Sequence, residues 1–161
     1  MSDEQATAAE QPQQQFEIQK IYIKDMSFEA PNTPGAFTQE WQPNVNIQLN
    51  TEAKSIGETQ FEIVLSVTVT AENQGKTAFL VEVQQAGIFA LGGFEEDHLK
   101  SMLGSFCPDI LFPYAREAVS DLVARGGFPQ LILAPVNFEA LYQEHMNQQA
   151  AQVATETATT H

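Results

Sequence analysis

In three segments of the first half of the chain apolar and polar side chains alternate with a period of two. In NVNIQLN (44–50), Val45, Ile47 and Leu49 fall on one phase and Asn44, Asn46, Gln48 and Asn50 on the other. FEIVLSVTVTA (61–71) groups Phe61, Ile63, Leu65, Val67, Val69 and Ala71, and TAFLVEVQQAGIFAL (77–91) sets Phe79, Val81 and Val83 against Leu80, Glu82 and Gln84. Successive side chains of a strand point to opposite faces, so each segment predicts a strand with one apolar face. The short, Gly75-containing turn ENQGK (72–76) predicts an antiparallel hairpin from the last two.

The opening segment is less regular. Phe16 and Ile18 share one phase, Ile21 and Ile23 the other, and Met26 and Phe28 return to the first. Either a bulge intervenes or both faces are partly covered. Within it, Asp25 and Glu29 point the same way with Ser27 between them, roughly 13 Å apart at ~3.3 Å per residue. Met26 and Phe28 point the other way. APNTPGAF (30–37) contains two prolines and a glycine and predicts a loop.

After residue 94 the period lengthens. EEDHLKSMLGSF (95–106) opens on three acids, as a helix N-terminus favours. PDILFPYAREAVSDLVARGG (108–127) starts on Pro108, stops at Gly126 and Gly127, and carries Pro113 where it can kink or restart the helix. Asn137 is the predicted N-cap of a last helix. Along it Phe138, Leu141, Tyr142, His145 and Met146 follow the i, i+3, i+4, i+7, i+8 stripe. Four strands followed by three helices give an α+β domain with an antiparallel sheet. Some strands reach ten or more residues, beyond the usual ~5–6. Three modest helices leave part of such a sheet uncovered, which predicts self-association or a large binding surface.

Charge narrows the choice of partner. The 161 residues carry 21 acidic and 7 basic side chains, for a net charge of −14. Without a basic stripe the chain has no means of neutralising phosphates, which excludes a nucleic-acid partner, and an anionic membrane surface repels it. Attraction to basic partners remains. Residues 1–15 hold three acids and no apolar run, unlike a secretory or transit signal, and no stretch has the length of a membrane span. Cys107 is the only cysteine, which suits a reducing compartment, so a cytoplasmic address is expected. Residues 1–15 and 148–161 are polar and low in complexity, and both read as mobile tails flanking one folded unit, 16–147.

The chain shows no active site. His98, His145, His161 and Cys107 lie at no metal-ligand spacing, so no metal or other cofactor is expected. Cys107 has only Asp109 beside it, not a base suited to activating a thiol. ALGGFEE (90–96) lacks both dinucleotide and P-loop spacings. What exceeds background is apolar material facing outward in an acidic protein: Tyr22, Val45, Ile47, Leu49, Tyr142, Met146, and Trp41 in the loop between the first two strands. Core packing accounts for such residues; so does a groove for extended apolar peptide.

Five segments taken together, IYIKDMSFEAPNTPGAF…WQP, VEVQQAGIF, CPDILFPYARE, RGGFPQL and LAPVNFEALY, resemble the SecB family of bacterial export chaperones over about residues 16–146. The resemblance implies an α+β subunit with a four-stranded antiparallel sheet and C-terminal helices, assembling as a dimer of dimers. It implies a protein that hydrolyses no nucleotide, holds preproteins unfolded and passes them to the translocase motor SecA. By the same resemblance Asp25, Glu29 and Glu82 form an acidic surface for SecA. Tyr22, Val45, Ile47, Leu49, Tyr142 and Met146, with Trp41 at the edge, line the client grooves, and Phe79, Val81, Val83 and Gln85 lie on a strand surface linked to oligomer contacts. A SecB-like chaperone devoted to one partner, such as an antitoxin, is the alternative within the same resemblance.

Overall fold

The computed structural model describes residues 13–158. The expected tail at 1–15 therefore lies almost wholly outside the described residues. Four long strands form one antiparallel sheet: β1 (Gln15–Glu29), β2 (Pro43–Ser55), β3 (Gln60–Asn73) and β4 (Lys76–Gly92). Their spatial order is β1-β4-β3-β2. The β3–β4 hairpin turns on Gln74 and Gly75, with φ of 53° and 78°. Two successive positive φ angles are what a two-residue hairpin turn requires.

β1 is bulged twice. Its register against β4 shifts between Ile18 and Lys20 and again between Ile23 and Asp25. This resolves the changing phase of the opening segment. Each extra residue flips the alternation, so Phe16, Ile18, Ile21, Ile23, Met26 and Phe28 all come to the β4 face that carries Val81, Val83, Gln85, Phe89 and Leu91. The opposite face lies away from the helical elements and is mixed: Val64, Leu80, Ala86 and Ile88 lie on it, but most of its exposed positions are polar. Ser66, Thr68 and Thr70 of β3 lie there, opposite Asn50, Gln48 and Asn46 of β2.

The apolar face is covered by one nearly continuous helical rod. α1 (Glu96–Ser101) runs into a π-helical turn (Met102–Phe106) and on into α2 (Cys107–Arg125). Two separate helices were expected around Pro108; instead the rod passes through it, because the π turn absorbs the missing proline N–H. α2 buries Cys107, Leu111, Phe112, Ala115, Val119 and Val123 against β4 and β3. The segment after Gly127 returns along the domain with Phe128 and Leu133 buried. α3 (Phe138–Ala158) follows. Asn137 caps it as the sequence predicts, accepting the Ala140 N–H at 3.0 Å.

The C-terminal boundary differs from expectation. α3 continues through 148–158, where the composition predicts a mobile tail. Ala150, Ala151 and Ala154 favour helix on backbone grounds alone, although every residue of that stretch is exposed.

Candidate functional site: an acidic sheet face and an apolar track

The open sheet face holds the acidic residues singled out by the sequence. Asp25 stands opposite Gln84, Ser27 opposite Glu82 and Glu29 opposite Leu80. Paired residues of an antiparallel sheet share a face, with side chains about 5 Å apart and diagonal neighbours about 7–8 Å. Glu82 therefore stands between Asp25 and Glu29, and all three are exposed. Among the described residues none of them takes part in an ion pair. This is an unneutralised acidic triangle on a rigid surface.

Tyr22 belongs to that same face, a correction to its expected place in an apolar groove. Without the bulge before Asp25 it would share the phase of Met26; with it, Tyr22 faces the open side. Its hydroxyl donates to the Glu62 carboxylate, and Lys24 Nζ pairs with the other Glu62 oxygen at 2.8 Å. Burial, then the Glu62 carboxylate, pushes the phenol up to about 12. The Lys24 hydrogen bond, then that of Tyr22, holds Glu62 below the usual carboxylate range.

The helix side carries the apolar surface. A groove of about 490 Å³ runs between β2 and α3, floored by the helical rod. Leu49 and Ala53 of β2 form one wall, Leu103 and Gly104 the floor, and Phe138, Leu141, Tyr142, His145 and Met146 the other wall. The helical stripe read from the sequence is this last wall. From Leu49 the same face of β2 continues through Ile47 and Val45, opposite Val67, Val69 and Ala71. Ile47 is 44% exposed. Eight residues back from Leu49 stands Trp41, roughly 26 Å away along an extended chain at ~3.3 Å per residue.

Trp41 does not line the groove beside Leu49. It sits in an aromatic cluster at the start of β2, with ring centroids 6.4 Å from Phe79 and 5.5 Å from Phe128. The sequence reading missed what holds it there. Asn73, buried in the hairpin, accepts the Gln42 N–H at 2.9 Å and donates to the Glu40 carbonyl at 3.0 Å, gripping the backbone on both sides of Trp41. A lone buried asparagine gives no periodic signal.

Other chemistry is weak. Cys107 is fully buried, and burial pushes its thiol up to about 12, the opposite of an activated nucleophile. His145 is exposed on the groove wall beside Gln149. Among the described residues no cluster of His, Cys, Asp and Glu could hold a metal ion, and no helix is long and apolar enough to cross a membrane.

The sequence profile described as preprotein translocase subunit SecB spans residues 9–149 of the chain. The protein-export protein SecB of Methylococcus capsulatus is 56% identical over 148 residues, covering 91% of this chain and 96% of that protein. The chain belongs to the SecB family. The protein-export protein SecB of Nitrosococcus oceani is 55% identical over 157 residues, covering 96% of each. Among solved structures, the SecB-like chaperone of Mycobacterium tuberculosis, in complex with an antitoxin peptide, superposes with a TM-score of 0.63 at 18% identity, over 75% of this chain and 90% of that one. At that identity the likeness is one of fold.

SecB is a family of protein-export chaperones rather than of enzymes. One set of residues carried over from the SecB resemblance fits the structure differently from the expectation. Phe79, Val81, Val83 and Gln85 are 1%, 0%, 1% and 3% exposed within a single chain. They face α2 and the aromatic cluster, and the Gln85 amide donates to the Tyr22 carbonyl at 3.0 Å, next to the second bulge. They offer no surface to another subunit, so any influence on assembly runs through the elements they support.

Proposed function

We propose that the protein is a cytoplasmic, ATP-independent holdase that binds unfolded preproteins and delivers them to SecA. The observation that carries this reading is the two-sidedness of one sheet. The apolar track from Trp41 to Leu49 opens toward the helix side, while Asp25, Glu29 and Glu82 occupy the opposite face. A client and a basic docking segment of the motor therefore reach the chain without competing for surface.

Energetics favour an extended track over one pocket. Burying one large apolar side chain contributes about 1.5–3 kcal/mol, whereas association costs about 4–15 kcal/mol. Several weak contacts along roughly 26 Å of surface retain a chain and still let it be handed over. Assembly as a dimer of dimers multiplies these tracks. Support for self-association comes from β1, whose outer edge has no strand partner among the described residues and whose helix-side face carries exposed Ile18, Ile23 and Met26.

A chaperone devoted to one partner is the second reading, favoured by the antitoxin peptide bound to the Mycobacterium tuberculosis neighbour. The relatives at 55% and 56% identity are export proteins, and they weigh toward the general role. The deciding experiment titrates the purified protein with a labelled preprotein kept unfolded by a destabilising substitution, beside its stably folded form. Tight, nucleotide-independent binding of the unfolded form alone is expected. Binding of neither form would shift the assignment to a dedicated partner.

A further inference from the structure

Both walls of the groove rest on the π turn Met102–Phe106: β2 packs on it from one side, and it is the main packing partner of α3. Pro108 has no N–H to offer the carbonyl of Gly104, so the α-helical ladder is interrupted here. The N–H of Cys107 reaches back five residues to the Met102 carbonyl instead. On this widened turn the ring of Tyr142 lies directly against the helix backbone. A Cβ on Gly104 would stand 2.5 Å from Cδ2 and 2.6 Å from Cε2 of that ring. Nothing in the local backbone calls for glycine, since Gly104 has no left-handed φ. Glycine inside a helix is less stable than alanine. The one feature that excludes a methyl group is the tyrosine ring.

The geometry points to Gly104 as a positioning residue of the groove, setting the separation of α3 from β2 by letting Tyr142 seat flat on the π turn. This rests on reading the groove as a client site. A methyl at position 104 pushes the ring, and with it the start of α3, away from the rod. That changes the gap between Leu49 and Met146 without touching the sheet or the acidic face. Phe138 keeps its edge-to-face contact with Phe112, at 5.6 Å between centroids, and acts as the pivot.

The test compares full-length Gly104→Ala, Tyr142→Leu and Gly104→Ala/Tyr142→Leu with the parent protein. Amide hydrogen exchange across α3 is read together with the affinity for reduced, carboxymethylated α-lactalbumin, an unfolded acidic probe that charge alone does not attract. Gly104→Ala is expected to speed exchange in the first turns of α3 and to weaken probe binding about tenfold, the loss of one apolar anchor. The double variant is expected to recover α3 protection, which a merely damaged helix would not do. Unchanged α3 exchange in Gly104→Ala overturns the proposal, and so does displaced α3 with full probe affinity. If the parent protein itself does not bind the probe, the client reading of the groove fails, while the exchange measurements still decide the role of Gly104. Should the single variant fold poorly, recovery in the double variant supports the same ring–methyl conflict, and its absence overturns it.

Discussion

Glu82 stands across the sheet from Ser27, which places its carboxylate between those of Asp25 and Glu29 on the neighbouring strand. Three exposed acids fixed on two hydrogen-bonded strands form a pattern that does not depend on flexible loops. Such a surface adds encounter rate and orientation more than raw affinity, and it weakens with salt.

Asp25→Lys with Glu29→Lys is therefore expected to lower affinity for SecA about tenfold at low ionic strength. The difference from the parent protein should shrink as salt rises. Client binding and oligomeric state should not change, because both side chains lie on the face opposite the groove and opposite Ile18, Ile23 and Met26. Equal SecA affinity of parent and variant at low salt would remove this face from the docking model.

Much of this surface was legible in the sequence, and the reasons it was not wholly so are physical. Asp25, Ser27 and Glu29 lie beyond the last bulge, so simple alternation placed them correctly. Tyr22 lies before it, and one unpaired residue reversed its face. The stripe Phe138–Met146 was readable because a helix that rests one face on a groove keeps its period. The strand order β1-β4-β3-β2 left no mark on local periodicity, since an antiparallel edge strand reads alike beside either neighbour. Burial of Phe79, Val81 and Val83 was visible as alternation, but alternation does not distinguish a core from a subunit contact.

The grip of Asn73 on Trp41 gives a stability prediction. Asn73→Ala removes two hydrogen bonds from a buried site and leaves the Gln42 N–H without this acceptor, while the Glu40 carbonyl keeps only the longer bond from the Gln74 amide at 3.4 Å. A loss of about 1–3 kcal/mol in unfolding free energy is expected. Trp41 is the only tryptophan, so its fluorescence reports the loop directly, and its emission should shift to the red before the domain unfolds. A variant with parental stability and emission would show that the aromatic cluster holds the loop by itself.

The Tyr22–Glu62–Lys24 cluster ties stability to pH at both ends of the scale. The Tyr22 phenol, raised to about 12 in the folded chain, ionises near 10 when unfolded. The unfolded chain thus gives up this proton first. The contribution is fully present below about pH 10 and is lost as pH rises through 12. Glu62 is depressed in the fold, so its contribution is present above the usual carboxylate pKa of about 4.3 and is lost as pH falls through the folded value. Tyr22→Phe should flatten the alkaline decline relative to the parent protein. One of the three tyrosines should disappear from the high-pH end of a phenolate absorbance titration. Identical alkaline profiles would show that Tyr22 ionises as freely in the fold as out of it.

Neighbouring residues on β2 separate the two faces most cleanly. Ile47 lies opposite Val69 on the apolar track, and Gln48 lies opposite Thr68 on the other face. Both are exposed, so an arginine at either position has room and the domain should fold. Ile47→Arg places an uncompensated charge where an apolar client segment would lie, and removes a contact with a value of about 1.5–3 kcal/mol. Client affinity should fall at least about tenfold. Gln48→Arg alters net charge and strand identically but points away from the track, and it should bind clients as the parent protein does. Its effect belongs to the other face, where Thr68 pairs in turn with Glu82, so a basic residue there should weaken SecA docking instead. Equal client affinity in the two variants would mean that clients do not read the apolar face of β2 at Ile47.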